Sequence, residues 1–362
     1  MRRSSRLIQK LSRRALLLGA AALLVTFARH ASAQRRAADR HVVMISIDGF
    51  AADYLDDPRL PIPNIRRLAE EGVRANRMTV CTPSVTWPNH TTLVTGVPPS
   101  RHGVLANGRI EAGDNGAYSI NPRRGKTELC RAETLYDAAH AAGLRTAEIN
   151  WPVTRAAPTL DYSFPDHPEP LKYTTPSLLR DLQELKLLRS PSDAAFTALG
   201  PVARDEVWTA AAAHLLKRER PNLLLLHLLY TDGAQHAHGP QSAEAYAALT
   251  LADRHVGDIL RAIQDADLQE RATVFVVADH GFVRTTWDIA PNVKLREAGL
   301  IRKTGETPAG AEKLEYDAHA VPEGGLALVY APAARKKPEL LEQVKRALTG
   351  IEGVERLVEP SE

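Results

Sequence analysis

Three strongly apolar runs constrain the fold of this 362-residue chain more than any other feature of its sequence. They cover His41–Ile47 and residues 222–229 and 273–278. Apolar runs without polar alternation are typical of strands that are buried on both faces of a parallel sheet. Helical patterns lie between these runs, so we predict an α/β fold with a mostly parallel central sheet flanked by helices.

Proline, glycine and apolar spacing set the predicted bounds of the other elements. A helix over 63–71 begins with a proline and is closed by Gly72. Further helices are predicted over 133–142, 205–217, 243–263 and 338–348, and further strands over 145–149, 325–330 and 354–357. Residues 155–200 are rich in proline, leucine and charge, and we expect a helical insertion there that could cover a site.

The first 33 residues have the composition of an export signal. They contain seven basic residues and no acidic one, an apolar run over 15–27, and Ala31-Ser32-Ala33 as a cleavage site. Arg13-Arg14 before the apolar run resembles a twin-arginine signal. The run is too short to span a bilayer comfortably, although an uncleaved anchor is the alternative. We therefore expect a signal over 1–33, a catalytic domain over 34–362, and a periplasmic or secreted protein.

The net charge and the two cysteines limit which partners and which covalent links the protein can have. Removing the seven basic residues changes the formal net charge from +3 to −4, so nucleic-acid binding is not expected. No later segment has the length of a transmembrane helix. Cys81 and Cys130 could pair in an oxidising compartment or remain two buried thiols, and the sequence leaves both open. It also says nothing about the oligomeric state.

Acidic residues and histidines follow the three apolar runs, and parallel strands end at one edge of a sheet, where α/β folds place ligands. The candidates are Asp48, Asp232, His236, Asp279 and His280. A single aspartate after a strand is usually a cap, but three such aspartates, two of them with a histidine, favour a metal site. We assign structural roles to four other histidines, although His238 is a rival to His236. These four are His90, His102, His227 and His238.

The segment 81–96 is a hydroxyl-rich turn that leads into an apolar stretch. Trp87-Pro88 favours a helix start, with Thr86 just before the helix N-terminus. Free backbone N–H groups and the positive dipole end at such a place suit a phosphate. The Thr86 hydroxyl would still need activation.

Five motifs together resemble the nucleotide pyrophosphatase/phosphodiesterase branch of the alkaline phosphatase superfamily. In chain order they are Ile47-Asp48-Gly49, Thr86-Trp-Pro-Asn-His90 with Leu93-Val-Thr-Gly96, His102-Gly-Val-Leu-Ala-Asn107, Asp232-x-x-x-His236-x-x-Gly-Pro240 and Ala278-Asp-His-Gly281. They cover residues 41–330 in the order in which the family has them. Each motif is weak by itself, and the ordered set is specific.

The resemblance implies a metallohydrolase with two zinc ions. Asp48, Asp279, His280 and the nucleophile Thr86 would hold one ion, and Asp232 with His236 would hold the other. Asn107 would donate a hydrogen bond to a phosphoryl oxygen. The implied reaction is the hydrolysis of a phosphodiester or pyrophosphate bond in a small-molecule or nucleotide substrate, through a phosphothreonine intermediate.

One part of the family pattern is missing. The family supplies a third ligand to the second zinc from a C-terminal His-Gly motif, and no such motif follows His280. His319 is the one later histidine, and it lies in a stretch where the family has no ligand. The chain also ends soon after a predicted strand, which would make it C-terminally incomplete and the second zinc site weak.

Several alternatives remain open. Phosphonoacetate hydrolase and phosphomonoesterase activities occur on the same fold, and a catalytically silent homologue would explain the missing ligand. A sulfatase is disfavoured because no arginine completes a sulfatase motif after Cys81, and export argues against a phosphoglycerate mutase. Trp87, Trp151 and Tyr230 could stack on a base or belong to the core. The natural leaving group cannot be derived from the sequence.

Overall fold

A computed structural model gives the fold and describes residues 39–188, 190, 192–306, 310 and 312–359. The expected export signal over 1–33 lies outside these residues. The strands are β1 (His41–Ile47), β2 (Arg109–Ala112), β3 (Tyr118–Asn121), β4 (Thr146–Ile149), β5 (Tyr162–Phe164), β6 (Leu223–Leu228), β7 (Ala272–Val277), β8 (Ile301–Glu306), β9 (Glu312–Tyr316), β10 (His319–Glu323) and β11 (Leu326–Tyr330).

Helices connect and cover these strands. The α-helices are α1 (Pro63–Glu71), α2 (Thr86–Thr95), α3 (Pro99–His102), α4 (Lys126–Leu129), α5 (Leu135–Ala141), α6 (Pro170–Tyr173), α7 (Pro176–Glu184), α8 (Asp193–Thr197), α9 (Pro201–Arg218), α10 (Tyr230–His238), α11 (Ala243–Asp265), α12 (Pro291–Glu297) and α13 (Pro338–Leu348). Two short 3₁₀ helices cover Ala52–Leu55 and Pro332–Arg335. None of the helices described is long and apolar enough to cross a membrane.

The centre of the molecule is a five-stranded parallel sheet in the order β5-β4-β6-β1-β7. Alternate residues of β6 face opposite sides of it, as the period of a strand requires. Leu224 and Leu226 pack in the main core with α9 and α11, whereas Leu223 and Leu225 pack against α2 and α5. Because both faces are covered, β6 is buried throughout its length and apolar except at His227, and the predicted α/β architecture is confirmed.

The segment 155–200 contains the expected helices and one strand that the sequence analysis missed. Helices α6, α7 and α8 lie in it, but so does β5, the edge strand that pairs with β4 through Ala147 and Tyr162. Three residues are too few for a strand period to be recognised in the sequence. The insertion therefore completes the central sheet as well as covering it.

The C-terminal part forms a smaller unit with its own apolar cluster, which includes Leu295, Ile301 and Val344. Strands β8–β9 and β10–β11 are antiparallel hairpins outside the central sheet. The predicted strand over 325–330 is thus present but belongs to a hairpin. The predicted strand over 354–357 is wrong, because these residues have no regular structure and Leu357 is exposed.

Candidate metal and phosphoryl-transfer site

Two buried aspartates lie at the carboxyl end of the central sheet. Asp48 follows β1 and Asp279 lies just after β7, and the two strands are parallel neighbours. Both side chains are fully buried. Oδ1 of Asp279 accepts hydrogen bonds from the backbone N–H groups of Gly49 (3.1 Å) and His280 (2.9 Å). The bond from Gly49 joins the ends of β1 and β7, and the two bonds together fix the orientation of the Asp279 carboxylate.

His280 brings its ring to the same point. Its Nε2 atom lies 3.2 Å from Oδ1 of Asp48, 3.6 Å from Oδ2 of Asp279 and 3.9 Å from Oδ1 of Asp232. The ligand atoms of Asp48, Asp279 and His280 all lie within 4.8 Å of one another. Among the residues described, Oδ1 of Asp48 and Oδ2 of Asp279 are buried without a hydrogen-bond partner. Unpartnered buried carboxylate oxygens beside an imidazole are a donor set that fits a divalent cation such as zinc.

Thr86 is the first residue of α2, so the helix begins one position earlier than we predicted, with Val85 as its cap. The Oγ1 atom of Thr86 lies 3.5 Å from Nε2 of His280. The first turn of a helix presents backbone N–H groups that have no partner within the helix. One of these, the N–H of Trp87, donates to Oδ1 of Asn107 at 2.8 Å.

Asp232 and His236 lie on α10, in a segment to which we had assigned no secondary structure. Their four-residue spacing puts them on one face of the helix, with Nε2 of His236 3.3 Å from Oδ1 of Asp232. The His236 side chain is 69 % exposed. His238, the rival ligand, is exposed and lies about 200° around the helix from His236.

Asp205 of α9 holds the start of this helix. Its two carboxylate oxygens accept the backbone N–H groups of Leu229 and Tyr230, each at 3.1 Å. Burial raises the pKa of Asp205 to about 6, against the effect of these two hydrogen bonds. The position of Asp232 therefore depends on a carboxylate that lies outside the motifs.

His319, the only histidine after His280, lies in β10. Its Nδ1 accepts the backbone N–H of Tyr118 at 2.8 Å, and its ring packs edge-on against Tyr316. The contacts of the His319 ring therefore hold β10 against Tyr118 and Tyr316. Within the described part of the chain, no third metal-ligating side chain forms a compact group with Asp232 and His236.

Two histidines to which the sequence analysis gave only structural roles lie directly beneath the carboxylates. Nε2 of His227 lies 3.0 Å from Oδ2 of Asp48. Nδ1 of His90 donates to the backbone oxygen of Thr86 at 2.9 Å and lies 3.5 Å from Oδ2 of Asp279. His90, His227 and Asp279 form a second group of close ligand atoms. The pairing of β1 with β6, which sets Ser46 opposite His227, is what brings His227 to Asp48.

The buried charges shift one another's pKa values. Burial and then the neighbouring charge of Asp279 raise the pKa of Asp48. Burial acts in the same direction on Asp279, but His90, His280 and His227 outweigh it and lower its pKa. Burial lowers the pKa of His90 to about 3. For His227, burial is outweighed by the hydrogen bond and the charge of Asp48, which raise its pKa to about 9.

A cavity of about 320 Å³ lies next to Trp87 and Asn107. Its lining includes Trp87, Asn107, Asp166, Arg204 and Trp208. Nε1 of Trp87 donates to Oδ2 of Asp166 at 3.0 Å, which fixes the indole in the wall. Among the aromatic residues considered in the sequence, Trp87 faces this space.

The structure also gives the positions of the other two aromatic residues and of the two cysteines. Trp151 is fully buried, with its ring against His90, and Tyr230 is half-buried at the start of α10. Both cysteines are free, with Cys130 buried and Cys81 half-buried.

Known proteins resemble this chain in sequence and in fold. The family model described as type I phosphodiesterase/nucleotide pyrophosphatase matches residues 42–355. Ectonucleotide pyrophosphatase/phosphodiesterase family member 3 of Rattus norvegicus is 27% identical over 248 residues, which is 68% of this chain and 25% of that protein. Venom phosphodiesterase 2 of Crotalus adamanteus is 26% identical over the same length and is covered to 27%. The chain thus spans about a quarter of the length of these curated relatives.

Solved structures show the same fold. Murine ectonucleotide pyrophosphatase/phosphodiesterase 5 superposes with a TM-score of 0.59 at 20% sequence identity, covering 86% of this chain and 70% of that one. An inactive variant of that murine protein was solved in complex with AMP and matches equally well. Since the family model extends over most of the sequence, the chain belongs to the type I phosphodiesterase/nucleotide pyrophosphatase family.

Proposed function

We propose that this protein hydrolyses a phosphodiester or pyrophosphate bond through a phosphothreonine intermediate at Thr86. One observation carries the proposal. The Thr86 hydroxyl lies at a helix N-terminus, 3.5 Å from His280, whose ring contacts two buried carboxylates with unpartnered oxygens. A hydroxyl, a cation-binding cluster and the N-terminus of a helix at one point are the parts that phosphoryl transfer needs.

Asp48, Asp279, His280 and Thr86 are the residues that would hold one zinc ion. The two unpartnered carboxylate oxygens and the imidazole match the ligands that zinc prefers. When bound, the ion would supply the positive charge that lowers the pKa of the Thr86 hydroxyl and offsets the charge of a phosphoryl group.

Asn107 is the residue that would bind a phosphoryl oxygen. Its Oδ1 accepts the Trp87 N–H, so its amide nitrogen is the end that is left to donate. The oxygen and nitrogen of the Asn107 amide are assigned in this way because the Trp87 N–H is a donor and needs an acceptor oxygen as its partner. Donors fixed in this way stabilise the charge that develops on the phosphoryl oxygens in the transition state.

The reaction has two halves. In the first, the Thr86 oxygen forms a bond to phosphorus while the bond from phosphorus to the leaving-group oxygen breaks. In the second, water attacks phosphorus and the bond to the Thr86 oxygen breaks, which releases the phosphate monoester and restores the hydroxyl. The α2 N-terminus and Asn107 bind the phosphoryl oxygens in both halves.

Asp232 and His236 would hold the second ion on the leaving-group side. They are only two donors, and His236 is largely exposed, so this second site is the weaker one. The same observation favours one alternative, a homologue that keeps the fold and the first site but turns over slowly or not at all. The number of bound zinc ions distinguishes the two, since the active enzyme is expected to bind two per chain.

The substrate we propose is a small phosphodiester or a nucleotide. The names of the relatives and the AMP complex of the murine protein support this class. The cavity next to Trp87 and Asn107 would hold the group that stays on phosphorus, and Trp87 offers an aromatic wall. An exported location is proposed from residues 1–33 and from relatives named as ectoenzymes.

The test is hydrolysis of bis-p-nitrophenyl phosphate and p-nitrophenyl thymidine monophosphate by the zinc-loaded protein, with Thr86→Ala compared with Ser84→Ala. Ser84 is an exposed hydroxyl two positions away in the same turn, so it controls for damage to the loop. We expect zinc-dependent turnover that Thr86→Ala abolishes and Ser84→Ala keeps. Phosphorylation of Thr86, detected by mass spectrometry after rapid acid quenching, would identify the intermediate.

Other outcomes would replace the proposal. Full activity of Thr86→Ala would exclude Thr86 as the nucleophile. Turnover of p-nitrophenyl phosphate or phosphonoacetate in preference to the diesters would favour a phosphomonoesterase or a phosphonoacetate hydrolase. A folded protein without turnover would favour the silent homologue.

A further inference from the structure

His227 occupies a place beneath the cluster that no motif assigns. It lies on β6 and is fully buried. Its Nε2 atom lies 3.0 Å from Oδ2 of Asp48, the carboxylate oxygen that points away from His280. The other oxygen of Asp48 is the one without a hydrogen-bond partner in the described structure. The two oxygens of Asp48 therefore have different surroundings, and His227 accounts for the difference.

The ring of His227 is itself held from its other side. Its Nδ1 atom lies 3.0 Å from the backbone oxygen of Asn150. The side-chain nitrogen of Asn150 lies 3.4 Å from the same ring nitrogen and donates to the backbone oxygen of His227 at 3.2 Å. Both ring nitrogens thus have an oxygen atom within hydrogen-bond distance, and because the Asn150 carbonyl can only accept, Nδ1 is the donor at that end of the ring.

Asn150 holds this position in an uncommon backbone conformation. Its φ is 58°, in the left-handed region, where asparagine is one of the few residues besides glycine that occur readily. Its own N–H donates to the backbone oxygen of Phe164 at 2.7 Å, so the loop after β4 is tied to β5. This backbone conformation aims the Asn150 carbonyl at the His227 ring.

From this chain of contacts we propose that His227, clamped by Asn150, is a positioning residue that fixes the Asp48 carboxylate with one oxygen free for the metal ion. A carboxylate without such a partner can rotate about its last bond and present either oxygen or neither. Partners of metal ligands commonly change affinity for the metal by about 10–100-fold when they are removed. This inference rests on the metal site proposed above, and it adds a residue that would act through its contact with Asp48.

The experiment measures zinc affinity of the full chain by competition with a chromophoric chelator, which needs no turnover. His227→Leu removes the hydrogen-bond partner of Asp48, and we expect about 10–100-fold weaker zinc binding. His227→Gln keeps one N–H donor within a similar side chain and should recover part of the loss. His140→Gln, at a half-exposed surface histidine, is the matched control and should bind like the wild type.

Asn150 supplies a second pair of variants in case the His227 variants do not fold. Asn150→Gly keeps the left-handed backbone and the carbonyl oxygen, so zinc affinity should stay within a few-fold of the wild type. Asn150→Ala disfavours that backbone and should weaken zinc binding further than the glycine variant does. Melting temperatures of the metal-free variants report separately on folding.

The outcomes separate this inference from the proposed function. Zinc affinity unchanged in folded His227→Leu, with only the melting temperature lowered, would make His227 a core residue and overturn the inference while leaving the metal site intact. If the wild type itself binds no zinc, the metal site fails and this inference fails with it. A graded loss from wild type through His227→Gln to His227→Leu supports both.

Discussion

The backbone N–H of Trp87 donates to Oδ1 of Asn107 at 2.8 Å, which ties the residue after Thr86 to a loop 20 positions further along the chain. This bond holds the first turn of α2 and at the same time turns the amide nitrogen of Asn107 away from Trp87. One side chain therefore has a structural end and a functional end, and substitutions can separate the two.

Asn107→Asp keeps an oxygen for the Trp87 N–H but replaces the donor with a second, negatively charged oxygen. We expect kcat for p-nitrophenyl thymidine monophosphate to fall by about 100-fold or more, because a donor to the transition state is lost and like charges meet. The melting temperature should stay near that of the wild type. Asn107→Ala loses both ends and should lower activity and stability together. Wild-type kcat in the aspartate variant would exclude Asn107 from phosphoryl binding.

Asp279→Asn tests the metal site through stability. The amide oxygen can still accept from Gly49 and His280, while the unpartnered oxygen is lost. Without zinc the variant should be less stable than the wild type, because His90, His280 and His227 lower the pKa of Asp279 and the folded protein therefore favours the charged carboxylate that the variant lacks. Zinc at 100 times its Kd should stabilise the wild type by about 2.7 kcal/mol and the variant much less.

Thermal unfolding with zinc and with a chelator measures how far zinc widens this difference in stability. The exposed Asp114 gives the control substitution Asp114→Asn, which should behave like the wild type in both conditions. If zinc raised the melting temperature of Asp279→Asn as much as that of the wild type, the ion would bind elsewhere.

Glu148 predicts a pH dependence of stability that is separate from catalysis. It lies fully buried on β4, where it accepts from the Trp151 N–H at 3.0 Å and from the Ser163 hydroxyl. Burial raises its pKa to about 7, against these hydrogen bonds. The folded-state pKa of Glu148 lies above the unfolded value, so the folded protein favours the protonated side chain. The stability that the protonated Glu148 contributes is therefore complete below about pH 4.5 and is lost as the pH rises towards 7.

Glu148→Gln cannot ionise, and its amide can serve both partners. The free energy of unfolding of the variant minus that of the wild type should therefore rise between about pH 4.5 and 7, by on the order of 3 kcal/mol at most. Urea unfolding of the metal-free proteins across this range measures it, with Glu184→Gln at an exposed position as the control. Parallel curves for Glu148→Gln and the wild type would contradict the raised pKa.

Thr197→Trp tests which part of the substrate enters the cavity. Thr197 is exposed at the end of α8 and lines the cavity, so a larger side chain there narrows the space without disturbing the core. We expect KM for p-nitrophenyl thymidine monophosphate to rise about tenfold, since lost pocket contacts typically cost 10- to 200-fold in specificity. Methyl p-nitrophenyl phosphate, whose methyl group is too small to fill the cavity, should be unaffected.

Thr197→Ala provides the control for the loss of the threonine itself. Equal effects of Thr197→Trp on both substrates would mean that the retained group binds outside the cavity.

Much of the fold follows from local signals in the sequence. The bounds of β1, α1 and α13 agree with the prediction, because an apolar run, or a proline at a helix start, marks each of them. Asp48 and Asp279 could be assigned to the sheet edge for the same reason, since each follows an apolar run. The expectation that the run over 273–278 is buried on both faces is wrong, because β7 is an edge strand of the central sheet and its residues, such as Phe275, are exposed or only partly buried. The strand over 354–357 failed because short apolar patterns also occur in exposed irregular segments.

The tertiary structure alone decided the surroundings of the metal cluster. His227 lies beside Asp48 because β6 pairs with β1, and it is clamped by Asn150 because β4 lies on the other side of β6. His90 lies under Asp279 through the packing of α2 on the sheet. Local sequence patterns show the hydrophobic periodicity of an element and the residues that start or end it, and both are properties of neighbouring residues. Strand order is set by the burial of whole elements against one another, so the partners of the ligands appear only in the folded chain.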